Sequence, residues 1–214
     1  PQPAEDDPVR FLAAAARALA TGRVGEAIGL AATRPDDDPD ARAVRARIAL
    51  RGGRHEEALA LLEPAAARDP AGEAALELGL LYCTLGRRDD GRRVLEGVVE
   101  RLEGEAPPVL ARAARAARAL GEFRLANQLY RRAARTSGGD PAIETAWGEL
   151  LLEKHNAADA ARSFRAALAA EPSWVPARVG LARAIAPEDP ARALAEATGA
   201  LETDPEFVPA LLVV

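Results

Sequence analysis

The 214-residue sequence is poor in aromatic residues, in sulfur and in lysine. Aromatics make up 4% of it, as two tryptophans, two tyrosines and four phenylalanines. So few large side chains argue against one thick hydrophobic core. Cys83 is the only cysteine, so no intramolecular disulfide can form and no cysteine framework points to secretion. Lys154 is the only lysine, against 27 arginines. No uncharged apolar run is long enough to span a bilayer. Strand-forming residues are too sparse for a β fold. A net charge of -5 and a pI near 5.3 exert no general pull on nucleic acid or anionic lipid.

What the chain has in excess is alanine, 52 residues of it, within a composition that is 49% hydrophobic and 29% charged. That is too apolar for a disordered chain. It fits a soluble, all-α protein whose helices approach closely through small side chains. The arginine and alanine excess also fits a GC-rich, bacterial coding sequence and says nothing of function. The chain opens on PQPAEDDP, acidic and proline-rich, without Met and without a signal peptide. The natural N-terminus is therefore expected to lie upstream. This suits the cytoplasm, and a disulfide-free periplasmic protein would read the same way.

Three rulers along the chain agree on a period near 34. Glycines before a polar-then-alanine segment recur at Gly22, Gly53, Gly86 and Gly121, and the same register places His155 and Asn156 next. Small residues at Ala27, Ala58, Gly91, Ala126, Ala160 and Ala193 follow each other at spacings of 31, 33, 35, 34 and 33. Prolines at Pro39, Pro70, Pro172 and Pro205 are expected to close units. Each unit reads as two helices around a turn. In the fifth, Asp140 is placed to cap the first helix and Pro141 to open it. Asn156 caps the second, and Glu171-Pro172 ends it, because proline disfavours helical geometry in the residue before it.

This pattern resembles the tetratricopeptide repeat, a helix-turn-helix unit of about 34 residues. The third unit carries Leu78-Gly79 and Tyr82 in its first helix, with Ala75 in the aromatic place. The fifth carries Ala160, Phe164, Ala167 and Pro172, and the fourth Ala126, Tyr130 and Ala133. Departures are Arg34 where a small residue is expected, Gly91 for alanine, and Pro187 and Pro190 in place of a turn glycine. The resemblance implies a right-handed α-α superhelix of antiparallel helix pairs. The expected organisation is an N-terminal tail over 1–7, about six pairs over 8–206, and the start of a truncated further repeat over 207–214. That last reading rests on PSWVPARVGL being echoed 33 residues later by PEFVPALLVV.

Catalytic, metal and cofactor chemistry find no support in the residues. His55-Glu56-Glu57 lacks the second histidine of a zinc-protease motif, since position 59 is Leu59. Two histidines and one cysteine in different units make no ligand set. Cys83 reads as a packing residue, and no serine stands in a nucleophile elbow. Carboxylates are abundant but read as caps and turn residues.

In the family the first helices line a concave groove that binds peptides or partner helices. Carried over onto this chain, the groove includes Arg47 and Arg51, then Leu76 and Leu80. Arg112, Arg115 and Arg118 follow, near one stripe of their helix, with Glu149 and Arg183 beyond. Arginine forks suit carboxylates, so the expected partner is a protein or peptide of acidic character, with no nucleic acid and no membrane insertion. The alternative is that these arginines form a solvated face paired with Glu105, Glu122 or Glu149. The carboxylate clamp of some family members is not implied, because Lys154 stands alone and Asn127 and Asn156 fall in second helices or turns. The expected function is a non-enzymatic protein-protein interaction module. Two rivals are an accessory array of a larger enzyme or secretion component, and a scaffold that self-associates through its end helices.

Overall fold

A computed structural model describes residues 7–102, 104, 106–207 and 210. Among the described residues there are twelve α-helices and no strand. They are α1 (Pro8–Ala20), α2 (Val24–Ala32), α3 (Pro39–Arg51), α4 (His55–Arg68), α5 (Glu73–Thr84) and α6 (Arg88–Glu100). Then come α7 (Pro107–Ala119), α8 (Phe123–Thr136), α9 (Pro141–Glu153), α10 (Ala157–Ala170), α11 (Val175–Ile185) and α12 (Pro190–Thr203). The chain divides into two compact units, Pro1–Leu19 with Arg23–Leu129 and Ala20–Gly22 with Tyr130–Val214.

Local chemistry sets the helix boundaries. Asp38 caps α3 by accepting from Ala41 N at 2.8 Å, and Asp140 caps α9 by accepting from Ala142 N and Ile143 N at 2.9 and 3.1 Å. Asn156 accepts from Asp159 N at 3.3 Å to cap α10, and Asp189 does the same for α12 through Arg192 N at 3.0 Å. Pro39, expected to close a unit, is instead the first residue of α3, the one helical position where a missing N–H and a fixed φ cost nothing. Between the paired helices the chain turns through left-handed backbone, with φ of 72°, 71°, 81° and 82° at Gly22, Gly53, Gly86 and Gly121. His155 takes the same place in the fifth pair at φ 58°.

In the first unit α3 packs on α4 and α5 on α6, while α3, α5 and α7 also lie against one another in succession. Ala43, Ala46, Ala49, Ala58, Leu62, Leu76 and Leu95 belong to one buried cluster. Small residues mark the crossings. A Cβ on Gly91 would lie 2.6 Å from Cys83 Sγ and 2.9 Å from the Gly79 carbonyl oxygen, so α5 and α6 approach too closely even for alanine. The departure at position 91 is therefore a packing requirement. At the first pair, Arg34 lies over the Phe11 ring, 4.3 Å from its centroid, and pairs with Asp38 at 3.0 Å. The guanidinium covers an aromatic face that a small residue would leave open.

The second unit is organised around Phe164, which is fully buried. Its ring occupies the space beside Gly148 of α9 and Gly180 of α11, so one aromatic joins three helices. Ala160, Ala161, Ala167, Ala177 and Leu181 complete this core, and α12 reaches it through Ala193 and Ala197. Val175, Val179 and Ala200 enclose Ala210 in a smaller cluster. Of the expected seventh unit, 208, 209 and 211–214 lie outside the described residues, as do 1–6 of the N-terminal tail.

Candidate partner-binding face

Helices α3, α5 and α7 of the first unit bring five charged side chains together. Arg47 Nε donates to Glu77 Oε1 at 2.9 Å, and Arg47 Nη2 pairs with Glu73. From the other side, Arg115 Nη1 donates to Glu73 Oε1 at 2.9 Å and Arg115 Nη2 to Glu77 Oε1 at 3.0 Å. Arg112 Nη1 lies 3.9 Å from Glu73 Oε2. Glu73 and Glu77 stand one helical turn apart on α5, so both face the same neighbours. Each carboxylate is thus shared between an arginine of the preceding pair and one of the following pair.

Burial makes this network strong and demanding. The Glu77 side chain is 9% exposed, Arg47 18% and Arg115 34%. Burial alone would raise the Glu77 carboxyl, but the charges and hydrogen bonds of Arg47 and Arg115 outweigh it and hold its pKa at about 2. Asp40 moves the other way: burial raises it, and Asp38 and Glu73 add to the rise. Three guanidiniums against two carboxylates leave this face only slightly positive. A cavity of about 340 Å³ adjoins it, with Arg101 and Arg112 in a wall that also holds Val98, Leu102 and Val109.

The expected site residues separate into groups. Arg47, Arg112 and Arg115 meet in the network, and Arg118 lies half-buried further along α7. Arg51 is exposed at the end of α3, and Leu80 is half-buried on α5. Leu76 is not on the face. It is fully buried beside Leu62 and Leu95, because the α5 stripe that meets α3 and α7 is set by Glu73 and Glu77. The carboxylates that answer Arg115 are therefore these two, on the adjacent first helix. In the second unit, Glu149 of α9 and Arg183 of α11 form a separate rung at 3.4 Å, largely exposed to water.

Glu73 and Glu77 are the residues that sequence reasoning missed, having treated carboxylates as caps. The signal was present as spacing: Glu77 follows Arg47 by 30 residues and precedes Arg115 by 38, close to one repeat on either side.

Among the described residues no three histidines, cysteines or carboxylates converge as a metal site would require. His55 opens α4 and His155 stands in a turn, both exposed. Among the described residues no helix is long and apolar enough to cross a membrane.

No protein-family model matches the chain, and no curated protein matches it in sequence. Solved structures do. TTC0263, a thermophilic TPR protein of Thermus thermophilus, is 26% identical, with 85% of this chain and 99% of that one covered at a TM-score of 0.57. YrrB, described as a TPR protein with an unusual peptide-binding site, is 20% identical over 82% of this chain and 91% of its own, with a TM-score of 0.50. A chain of the APC/C hetero-tetramer Cut9-Hcn1 is 16% identical, covering 97% of this chain and 42% of that one at a TM-score of 0.57. With the repeat register, the small residues at the crossings and Phe164 between two glycines already in view, these likenesses agree on the architecture: the chain is an all-α array of tetratricopeptide-type helix pairs.

Proposed function

We propose that the chain is a non-enzymatic interaction module that holds a segment of another protein against the face formed by α3, α5 and α7. The observation that carries this reading is the Arg47–Glu77–Arg115 network. It ties three successive first helices together, so the face is preorganised and the ordering cost of binding falls. Because Glu73 and Glu77 already engage Arg47 and Arg115, the face selects by shape and by apolar contact at half-buried Leu80, rather than as a bare basic patch. Photo-crosslinking tests it. A benzoylphenylalanine at Leu80 or Arg118 should trap a partner polypeptide, whereas the same group at Arg92, on the exposed side of α6, should not. Equal trapping at Arg92 rejects this face as the site.

A second reading is self-association, favoured by one observation. Of the exposed large apolar side chains, Val9, Ile28 and Leu194 stand on α1, α2 and α12, the first and last pairs. Light scattering against concentration should show a dimer that Ile28→Glu disperses. A mass that stays monomeric at all concentrations rejects it.

A further inference from the structure

We infer that the solvent face of α8 is a separate docking surface for an acidic segment of a partner protein. Arg124, Gln128, Arg131 and Arg135 follow one another at four, three and four residues and are all exposed. That spacing keeps them on one stripe of the helix, about 16 Å long at 1.5 Å per residue. The helix carries Arg132 as well and contains no aspartate or glutamate.

Elsewhere exposed arginines are repeatedly answered by a carboxylate three or four residues away: Arg23 by Glu26, Arg54 by Glu57, Arg87 by Asp90, Arg92 by Glu96 and Arg162 by Asp159. Among the described residues no carboxylate answers Arg124, Arg131 or Arg135. Among those residues exposed Arg88, Arg165 and Arg192 also lack a carboxylate partner, but each is the sole such residue of its helix, whereas α8 sets three on one stripe. Nor does global charge explain it. Residues 107–136 hold seven arginines and one acidic residue, Glu122, in a chain whose net charge is -5.

The chemistry of the stripe selects its occupant. Unpaired guanidinium forks take carboxylates in bidentate geometry. The one-turn step from Arg131 to Arg135 matches carboxylates a turn apart on an acidic helix. A nucleic acid fits less well. Among the described residues the exposed large apolar side chains, Val9, Ile28, Leu85 and Leu194, include no aromatic for base stacking, and the two aromatics of α8 are half-buried Phe123 and fully buried Tyr130.

Fluorescence anisotropy on the full chain tests the surface, with a labelled oligoglutamate peptide and a single-stranded oligonucleotide of equal charge as probes. The peptide should bind, more tightly at low salt, and R131E/R135E should weaken it by about tenfold or more. R92E/R93E, which reverses two arginines already answered on α6, should leave it unchanged. R131Q/R135Q supplies the same test should charge reversal unfold the chain, as judged by helical circular dichroism. The inference is overturned by absence of peptide binding at low salt, by equal loss in R92E/R93E, by undiminished binding in the α8 variants, or by an oligonucleotide that binds as tightly as the peptide.

Discussion

Glu77 Oε1 accepts from Arg47 at 2.9 Å and from Arg115 at 3.0 Å, so a single carboxylate oxygen serves two repeats at once. Neither arginine is on the helix that carries it. In an array where each pair mainly touches its neighbours, such a shared acceptor couples three consecutive first helices.

The carboxyl of Glu77 is depressed from 4.5 to about 2 in the folded chain, the two guanidiniums overcoming the effect of burial. A depressed carboxylate stabilises the fold at pH values above its unfolded pKa and stops doing so as pH falls through the folded one. Its contribution should therefore be complete above about 4.5 and vanish towards 2. In urea melts recorded across that window, Glu77→Gln should remove this part of the pH dependence. At neutral pH Glu77→Ala should cost about 3 kcal/mol, because it leaves Arg47 buried with a single partner. Replacing Arg47 and Glu77 together by Met and Leu should recover much of the loss. A double variant as unstable as the single one would show that the network acts through more than charge.

The ring of Phe164 fills the space a side chain would need at both Gly148 and Gly180; a Cβ on Gly148 would lie 2.7 Å from Cε1. Neither glycine has a backbone conformation that demands glycine, so the restriction is purely one of contact. Gly148→Ala and Gly180→Ala should each overpack α9 or α11 against α10 and cost about 1–3 kcal/mol. Phe164→Leu in the same chain should relieve either one. Additive losses in the double variants would disprove the shared cause.

Much of this architecture was legible from sequence because small residues and turn glycines recur at a fixed interval. Ala58, Ala126 and Ala160 are fully buried at the crossings where the spacing places them. Arg47, Arg112 and Arg115 were also legible as residues of one face. Their partners were not. Periodicity marks which side of a helix faces a neighbour, but Leu76 and Glu77 differ by one position, about 100° of rotation, and either satisfies a loose apolar pattern. Only the packed neighbours decide it: Leu62 and Leu95 cluster with Leu76, and Arg47 and Arg115 close on Glu77. The arginines of α8 escaped notice for the opposite reason, since an exposed stripe leaves no mark in the hydrophobic pattern.

Pro64 lies inside α4, exposed, with helix continuing through Arg68. Its ring nitrogen offers no proton to the carbonyl one turn back, and the ring crowds that same carbonyl. Pro64→Ala should therefore stabilise the chain by about 2 kcal/mol, the helix gain less the entropy that proline removes from the unfolded state. The measurement is a urea midpoint that rises with no change in slope. An unchanged midpoint would mean that the packing of Leu62 and Ala65 depends on the proline's distortion of the helix.

His155 adopts φ 58° at the turn where four other pairs use glycine, and it is exposed. A side chain in left-handed backbone costs about 1–2 kcal/mol, because Cβ crowds the following carbonyl oxygen. An imidazole in water returns little of that. His155→Gly should thus raise stability by about 1 kcal/mol, even though glycine gives up more entropy on folding. His155→Val should lower it, since branching at Cβ aggravates the crowding. His155→Ala should change it little, keeping the Cβ that causes the strain. A His155→Gly chain no more stable than the parent would place the origin of the turn elsewhere, in Asn156, whose side chain caps α10 from the next position.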